Sequence, residues 1–230
     1  VTVRRQALVV RGGWEGHVPV EATDLFIPFL ASHGFEVDVH DSLDVYADAG
    51  RMGSVDLVVQ CWSIGQITPE QLAGLSAAVR AGAGFAGWHG GIVGSFLGSE
   101  RYHHLTGGVF VHHPDGFVRH VMSVAPARAS HEIVAGLSTV ELHTEKYWVL
   151  TDPYIDVLAT VRFTPDDAAD SPDGPTPWRS PVELPAVWTR QWGEGRVFVS
   201  TVGHKLDDLE VPEIRTLTER GVLWAARRGR

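Results

Sequence analysis

The chain has 230 residues, a formal net charge of −9, 44% apolar and 20% charged residues, and one cysteine. That size and composition fit one α/β domain over residues 1–230 with a sizeable core. The acidic balance argues against nucleic acid and anionic membrane surfaces, because both need a positive field from the protein. Lone Cys61 excludes an intrachain disulfide and points to a reducing, cytoplasmic setting. No apolar run reaches membrane-spanning length, and residues 1–6 lack the apolar core of a signal peptide.

The first apolar run, Ala7 to Val10, ends in Arg11-Gly12-Gly13 and reads as a buried parallel strand. Pro19 to His33 then carries apolar residues at helical spacing, with Gly34 after the last turn. Phe35 to His40 alternates as a strand does, and Val55 to Gln60 reads as another buried strand. Thr68-Pro69-Glu70-Gln71 is a helix start: Thr68 caps, Pro69 fits the first helical position, and Gln71 completes a capping box. That helix runs to about Gly82. A short strand, Gly84 to Gly87, leads into Trp88-His89-Gly90-Gly91.

This alternation predicts an α/β parallel sheet with right-handed crossovers and helices on both faces. Ligands of such sheets bind outside the carboxyl ends of the strands, here Gly12 to His17, Cys61 to Gln66 and Trp88 to Gly94. The second half predicts an added antiparallel portion. Gly116 to Val124 and Tyr154 to Phe163 read as strands. Thr164 to Pro181, with five Pro and four Asp, reads as an exposed loop. Leu184 to Trp192 and Arg196 to Thr201 form a hairpin through Gly193-Glu194-Gly195, and Val211 to Arg227 is a closing helix.

Twelve histidines supply acid–base groups and metal ligands near neutral pH. Gly87-Trp88-His89-Gly90-Gly91 has the frame of a nucleophile elbow, in which small residues allow a strained turn that lifts the middle side chain to the mouth of the sheet. With His89 in the middle, Ser-type acyl transfer has no support, and the imidazole serves as base, acid or ligand. A second group is His103-His104, His112-His113 and His131. Neighbouring histidines do not easily face one point, so at most one of each pair is expected to function. His103, His113 and His131 are the candidate ligands for a divalent transition metal, although no fixed ligand spacing is present. Further candidates are Glu145 with Tyr147, Gly203-His204, and Trp14 with His17. Cys61 sits at a strand end without an elbow and reads as a packed small residue. No dinucleotide or Walker motif occurs.

Taken in order, Gly12-Gly13-Trp14 to His17, Gly84 to Gly91, Leu105-Thr106-Gly107-Gly108, His112-His113-Pro114, His131 to Gly136, Glu145-Lys146-Tyr147, Pro185 to Trp188 and Gly195 to His204 resemble the ThuA-like family, named for bacterial trehalose utilisation. The resemblance spans nearly the whole chain. It implies a flavodoxin-like parallel sheet flanked by helices, related to class I glutamine amidotransferases, whose elbow holds a nucleophilic Cys. His89 stands at that position, which puts amidotransferase activity in doubt. It also implies a place in disaccharide catabolism beside a dehydrogenase that makes a keto-sugar, and it carries His17, His89, His113, Glu145 and His204 over as site residues. The Pro- and Asp-rich stretch departs from the family as an insertion.

The resulting expectation is an enzyme on a sugar or keto-sugar. His89, Glu145 and His204 form the catalytic group, with His89 and Glu145 in acid–base roles and His204 and His17 orienting or ligating, and Trp14, His17, Trp88, Gly90, Gly91, His113 and Tyr147 surround the substrate. Two alternatives stay open: a non-catalytic sugar-binding or regulatory module, and a metal-dependent hydrolase. A homo-oligomer rests on no motif.

Overall fold

The computed structural model describes residues 4–168 and 179–227. In chain order they form β1 (Arg5–Gly13), α1 (Pro19–Asp24), α2 (Ile27–Ser32), β2 (Phe35–His40), α3 (Ala49–Ser54), β3 (Leu57–Ser63), α4 (Pro69–Arg80) and β4 (Gly84–Trp88). Then follow α5 (Glu100–Thr106), β5 (Gly108–His112), β6 (Val118–Val124), β7 (Thr139–Thr144), β8 (Trp148–Thr151), β9 (Asp156–Phe163), β10 (Val182–Trp192), β11 (Gly195–Ser200), α6 (Leu206–Glu210) and α7 (Pro212–Ala225).

Nine strands make one sheet in the order β2-β1-β3-β4-β11-β10-β9-β6-β7. The first five run parallel, as a flavodoxin-like sheet requires, and the last four extend it antiparallel. β5 and β8 pair separately as a small antiparallel ribbon. From β1 the chain steps outward to β2 and then back past itself to β3, so the strand order reverses between β1 and β3. That crevice is where such sheets bind ligands.

Strand alternation divides the core. Ala7 and Val9 of β1 face Phe26, Leu30, Ile214, Leu217 and Val222 from α1–α2 and α7. Leu8 and Val10 face Leu72, Leu75 and Val79 from α4. The capping box of α4 forms as its sequence demands: Gln71 N donates to Thr68 Oγ1 at 3.2 Å and Thr68 N donates to Gln71 Oε1 at 2.9 Å.

The helix expected over 19–33 is two helices, broken between Asp24 and Ile27. Pro28 has no N–H to return to the Asp24 carbonyl, and its ring crowds that carbonyl, so the ladder stops and restarts. Of the proline-rich stretch, residues 169–178 lie outside the described residues. Its start is a 3-10 turn at Pro165–Ala168, and β10 already begins at Val182.

Candidate active site

Three loops leave the carboxyl ends of β1, β3 and β4 through residues in the left-handed region: Val18 at φ 42°, Ile64 at φ 62° and His89 at φ 49°. Such conformations cost a non-glycine residue on the order of 1–3 kcal/mol, and they persist where the surroundings over-determine them. At His89 the turn is the elbow expected from its glycines. Ile92 N and Val93 N donate back to the His89 carbonyl at 3.2 and 3.0 Å. Buried Gln60 of β3 donates its amide to the Gly91 carbonyl at 3.0 Å and locks the turn from below.

The side chains the loops carry converge. His89 is 1% exposed; its Nδ1–H donates to the Thr201 carbonyl at 2.8 Å, and its Nε2 lies 3.0 Å from Glu145 Oε2. A carbonyl only accepts, which fixes the proton on Nδ1. His204 Nδ1 lies 3.1 Å from the same Glu145 oxygen. His17 reaches across the crevice to Ser63 Oγ at 2.6 Å from its Nδ1, and its ring meets those of His89 and His204 edge-on at 4.7 and 5.0 Å. His113 donates Nδ1–H to the Pro114 carbonyl at 2.7 Å and turns its Nε2 toward Glu145 Oε1 at 3.6 Å. The sequence-predicted histidines 17, 89, 113 and 204 therefore meet around one carboxylate.

Glu145 enters from the opposite half of the sheet, and its neighbours hold it there. Thr144 Oγ1 donates to Asp208 Oδ2 at 2.6 Å, and Lys146 Nζ donates to Asp167 Oδ1 at 2.7 Å. Tyr147 stacks on His89 with ring centres 3.9 Å apart. At the rim, Trp14 and Phe117 stand 47% and 42% exposed, with ring centres 6.2 and 5.0 Å from that of His204.

Burial and neighbouring charge set the protonation states. Burial, followed by the charges of His89 and His204, pushes the His17 imidazole down to about 3. Burial lowers His89 against the pull of Glu145. Burial alone would raise Glu145, but hydrogen bonds to His204 and His89 and the nearby imidazole charge hold it well below the usual carboxylate range. Burial and then the Glu145 charge raise the Tyr147 phenol, which stays protonated. Burial thus works against charge on His17 and His89 beside a carboxylate held as an anion.

Several expected contributors sit elsewhere. Trp88 belongs to the core, not to the substrate surface: as the last residue of β4 it shares the face of Ala86 and packs against Phe26 at 4.9 Å. Gly90 and Gly91 are buried spacers. A Cβ on Gly90 would lie 2.1 Å from His17 Cε1, and one on Gly91 2.8 Å from Cys61 Cα. Tyr147 backs His89 from the inside and is 4% exposed. His103 and His104 lie on α5 against Tyr102 and Trp192, and His131 packs on Trp224, so neither His103 nor His131 joins His113. Cys61 is buried with its thiol pushed up to about 12 by that burial, as befits a packed small residue. Ser63, Thr201 and Phe117 were not singled out in the sequence. Ser63 falls in a strand-end segment already marked for ligands, whereas Phe117 carries no periodic signal.

The family model for ThuA, described as trehalose utilisation, matches residues 6–225. Among solved structures, a ThuA-like protein from Bacteroides uniformis superposes with a TM-score of 0.74 at 16% identity, covering 96% of this chain and 91% of its own. One from Parabacteroides merdae gives 0.73 at 16% identity, covering 99% and 93%. A cytoplasmic protein of Salmonella typhimurium gives 0.61 at 12% identity, covering 97% and 100%. No curated protein sequence matches the chain.

Proposed function

The chain belongs to the ThuA family, and we propose that it is an enzyme of carbohydrate catabolism that moves a proton on a sugar or keto-sugar, of the trehalose or related disaccharide class. The observation that carries this reading is the convergence of Glu145 with His113 at a mouth walled by exposed Trp14 and Phe117. Flat aromatic faces suit the apolar face of a sugar ring. A ring carbonyl acidifies the neighbouring C–H, and a positioned base within reach of that proton contributes on the order of 10²- to 10⁴-fold.

Exposure divides the roles. His113 and Glu145 are reachable from solvent, with side chains 29% and 12% exposed. They carry the proton. His89 is too buried to touch a substrate, so it is a positioning residue. Together with His204 it fixes Glu145 from the far oxygen, Oε2, leaving Oε1 toward His113.

The test is incubation of a 3-keto-disaccharide in D₂O, followed by NMR. Wild-type protein exchanges the C–H beside the carbonyl and forms product, whereas His113→Gln slows both. A sugar that raises the melting temperature while showing neither exchange nor product overturns the enzyme reading. It establishes instead the binding module, which the burial of His89 and Cys61 favours, since neither offers a reachable nucleophile.

A further inference from the structure

We propose that His17, His89, His204 and Glu145 together hold a divalent first-row transition metal ion, with one nitrogen from each imidazole and one carboxylate oxygen as ligands. The inference deepens the sugar-enzyme reading and rests on it only for what the ion would do, not for whether it binds.

The geometry comes first. One ligand atom from each of the four residues lies within 4.8 Å of every other. A single ion about 2.0–2.2 Å from each would bridge such a set after small rotamer adjustments. Three imidazoles and one carboxylate are ligands that suit zinc, iron or manganese, whereas magnesium and calcium prefer all-oxygen shells.

The hydrogen bonds of His89 point to a cation independently. Its Nδ1–H is committed to the Thr201 carbonyl, so in the neutral ring Nε2 is a lone pair. That lone pair faces a carboxylate oxygen at 3.0 Å in a site almost closed to water. Nε2 and Glu145 Oε2 are close enough to share one ion at about 2.0–2.2 Å from each.

The outer partners are those of metal-ligating residues. A backbone carbonyl orients His89, and a hydroxyl, Ser63 Oγ, engages His17 Nδ1 and leaves Nε2 available. Such contacts fix the tautomer and the ring plane of a ligating histidine. His113 faces Glu145 Oε1, the oxygen left over, so it keeps its place as the proton carrier beside the ion. An ion at this point would polarise a sugar carbonyl entering from the Trp14 side.

The experiment uses untagged full-length protein, stripped with a chelator and titrated by calorimetry with zinc chloride, manganese chloride and calcium chloride. Zinc or manganese is expected to bind one per chain with a Kd below about 1 μM, and calcium at least about a hundredfold more weakly. Glu145→Gln and His204→Gln, whose side chains are each 12% exposed, are expected to lose at least about a hundredfold in affinity, and Ser63→Ala about tenfold. His131→Gln, remote from the site, is expected to bind as wild type does. Absence of stoichiometric binding, or equal affinity in wild type, Glu145→Gln and His204→Gln, overturns the proposal. Bound metal without turnover of any keto-sugar leaves the ion standing and removes the sugar reading, so the two fail separately.

Discussion

The two halves of the sheet serve the site in different ways. In the parallel half, topology does the positioning: His17, His89 and His204 follow β1, β4 and β11, and parallel strands bring their carboxyl ends to one edge. In the antiparallel half no such rule applies. Glu145 leaves β7, the edge strand farthest from β2, and reaches the histidines because individual bonds bring it there. Thr144 is tied to Asp208 on α6, directly after His204, and Lys146 is tied to Asp167 at the start of the proline-rich stretch. One half is specified by its fold, the other by two side-chain anchors on either side of one carboxylate.

The sharpest way to break this comparison is to remove what the antiparallel half delivers. Glu145→Gln keeps the shape and removes the charge. It is expected to lower kcat/KM on a 3-keto-disaccharide by about 10²- to 10⁴-fold with an unchanged circular dichroism spectrum. A loss below tenfold would mean that the histidines of the parallel half work without their carboxylate.

Removing an anchor tests the second half of the argument. Lys146 is 3% exposed and its ammonium needs Asp167. Asp167→Asn leaves a buried charge without its counter-ion and is expected to cost about 3–5 kcal/mol in urea unfolding. Because Lys146 adjoins Glu145, turnover in the folded fraction should fall as well. An unchanged kcat would show that Glu145 is held by something other than its neighbours.

The same contrast explains what the sequence discloses. Gly-rich punctuation and the apolar runs at Ala7–Val10 and Gly84–Gly87 mark the parallel strands, and once those are placed the topology puts His17 and His89 at one edge. His204 follows from Gly203 after the strand of the hairpin. The antiparallel half gives weaker signals. β7 reads Thr-Val-Glu-Leu-His-Thr with alternating exposure, but only Val140 and Leu142 are apolar, too few to separate a strand from a loop. The pairing of β5 with β8 joins residues some forty apart through no local pattern. That His113 rather than His112 faces Glu145 follows from that ribbon and its irregular register near His112, which sequence does not encode locally. Glu145 is legible as a carboxylate beside aromatics, and the ordered motifs name it again, but its meeting with the histidines has no local signal.

Within the parallel half, close approach can be broken by one methyl group. Gly90→Ala drives a Cβ into the His17 ring and is expected to destabilise by about 1–3 kcal/mol in urea, with His17 displaced from Ser63. A neutral result would mean that the elbow can shift as a unit, against the lock that Gln60 places on Gly91.

Acid tests both halves together, in chelator-treated protein. His17 and His89 lie below their ordinary values, so the unfolded chain binds protons there that the folded chain refuses. The stability they contribute is complete above about pH 6.5 and is lost as the pH falls, for His17 toward about 3. Glu145 is also depressed, and its contribution is lost only below about pH 4.5. The urea midpoint should therefore begin to drop near pH 6.5 and steepen below 4.5. His17→Asn should flatten the upper part of the profile, and an unaltered profile in that variant would mean that His17 takes up its proton in the fold as readily as in the unfolded chain.

The smallest expected effect concerns backbone strain at the rim. Ile64 is β-branched, holds φ 62° and leaves half its surface in water, so its side chain gives little burial in return. Its backbone is pinned on both sides of the loop: its N–H donates to the Gly94 carbonyl at 3.0 Å, and its carbonyl accepts from Phe96 N at 3.2 Å. Those bonds tie the β3 loop to the segment after the elbow and force the conformation. Glycine adopts it freely and loses about 1 kcal/mol through the unfolded chain's greater freedom, while relief of the left-handed penalty returns roughly 1–2 kcal/mol. Ile64→Gly is thus expected to raise the stability by up to about 1 kcal/mol with turnover nearly unchanged. A clear loss of turnover without a loss of stability would show that the strained loop does more than carry Ser63 to His17, and that the order of the parallel half depends on its strain as well as on its topology.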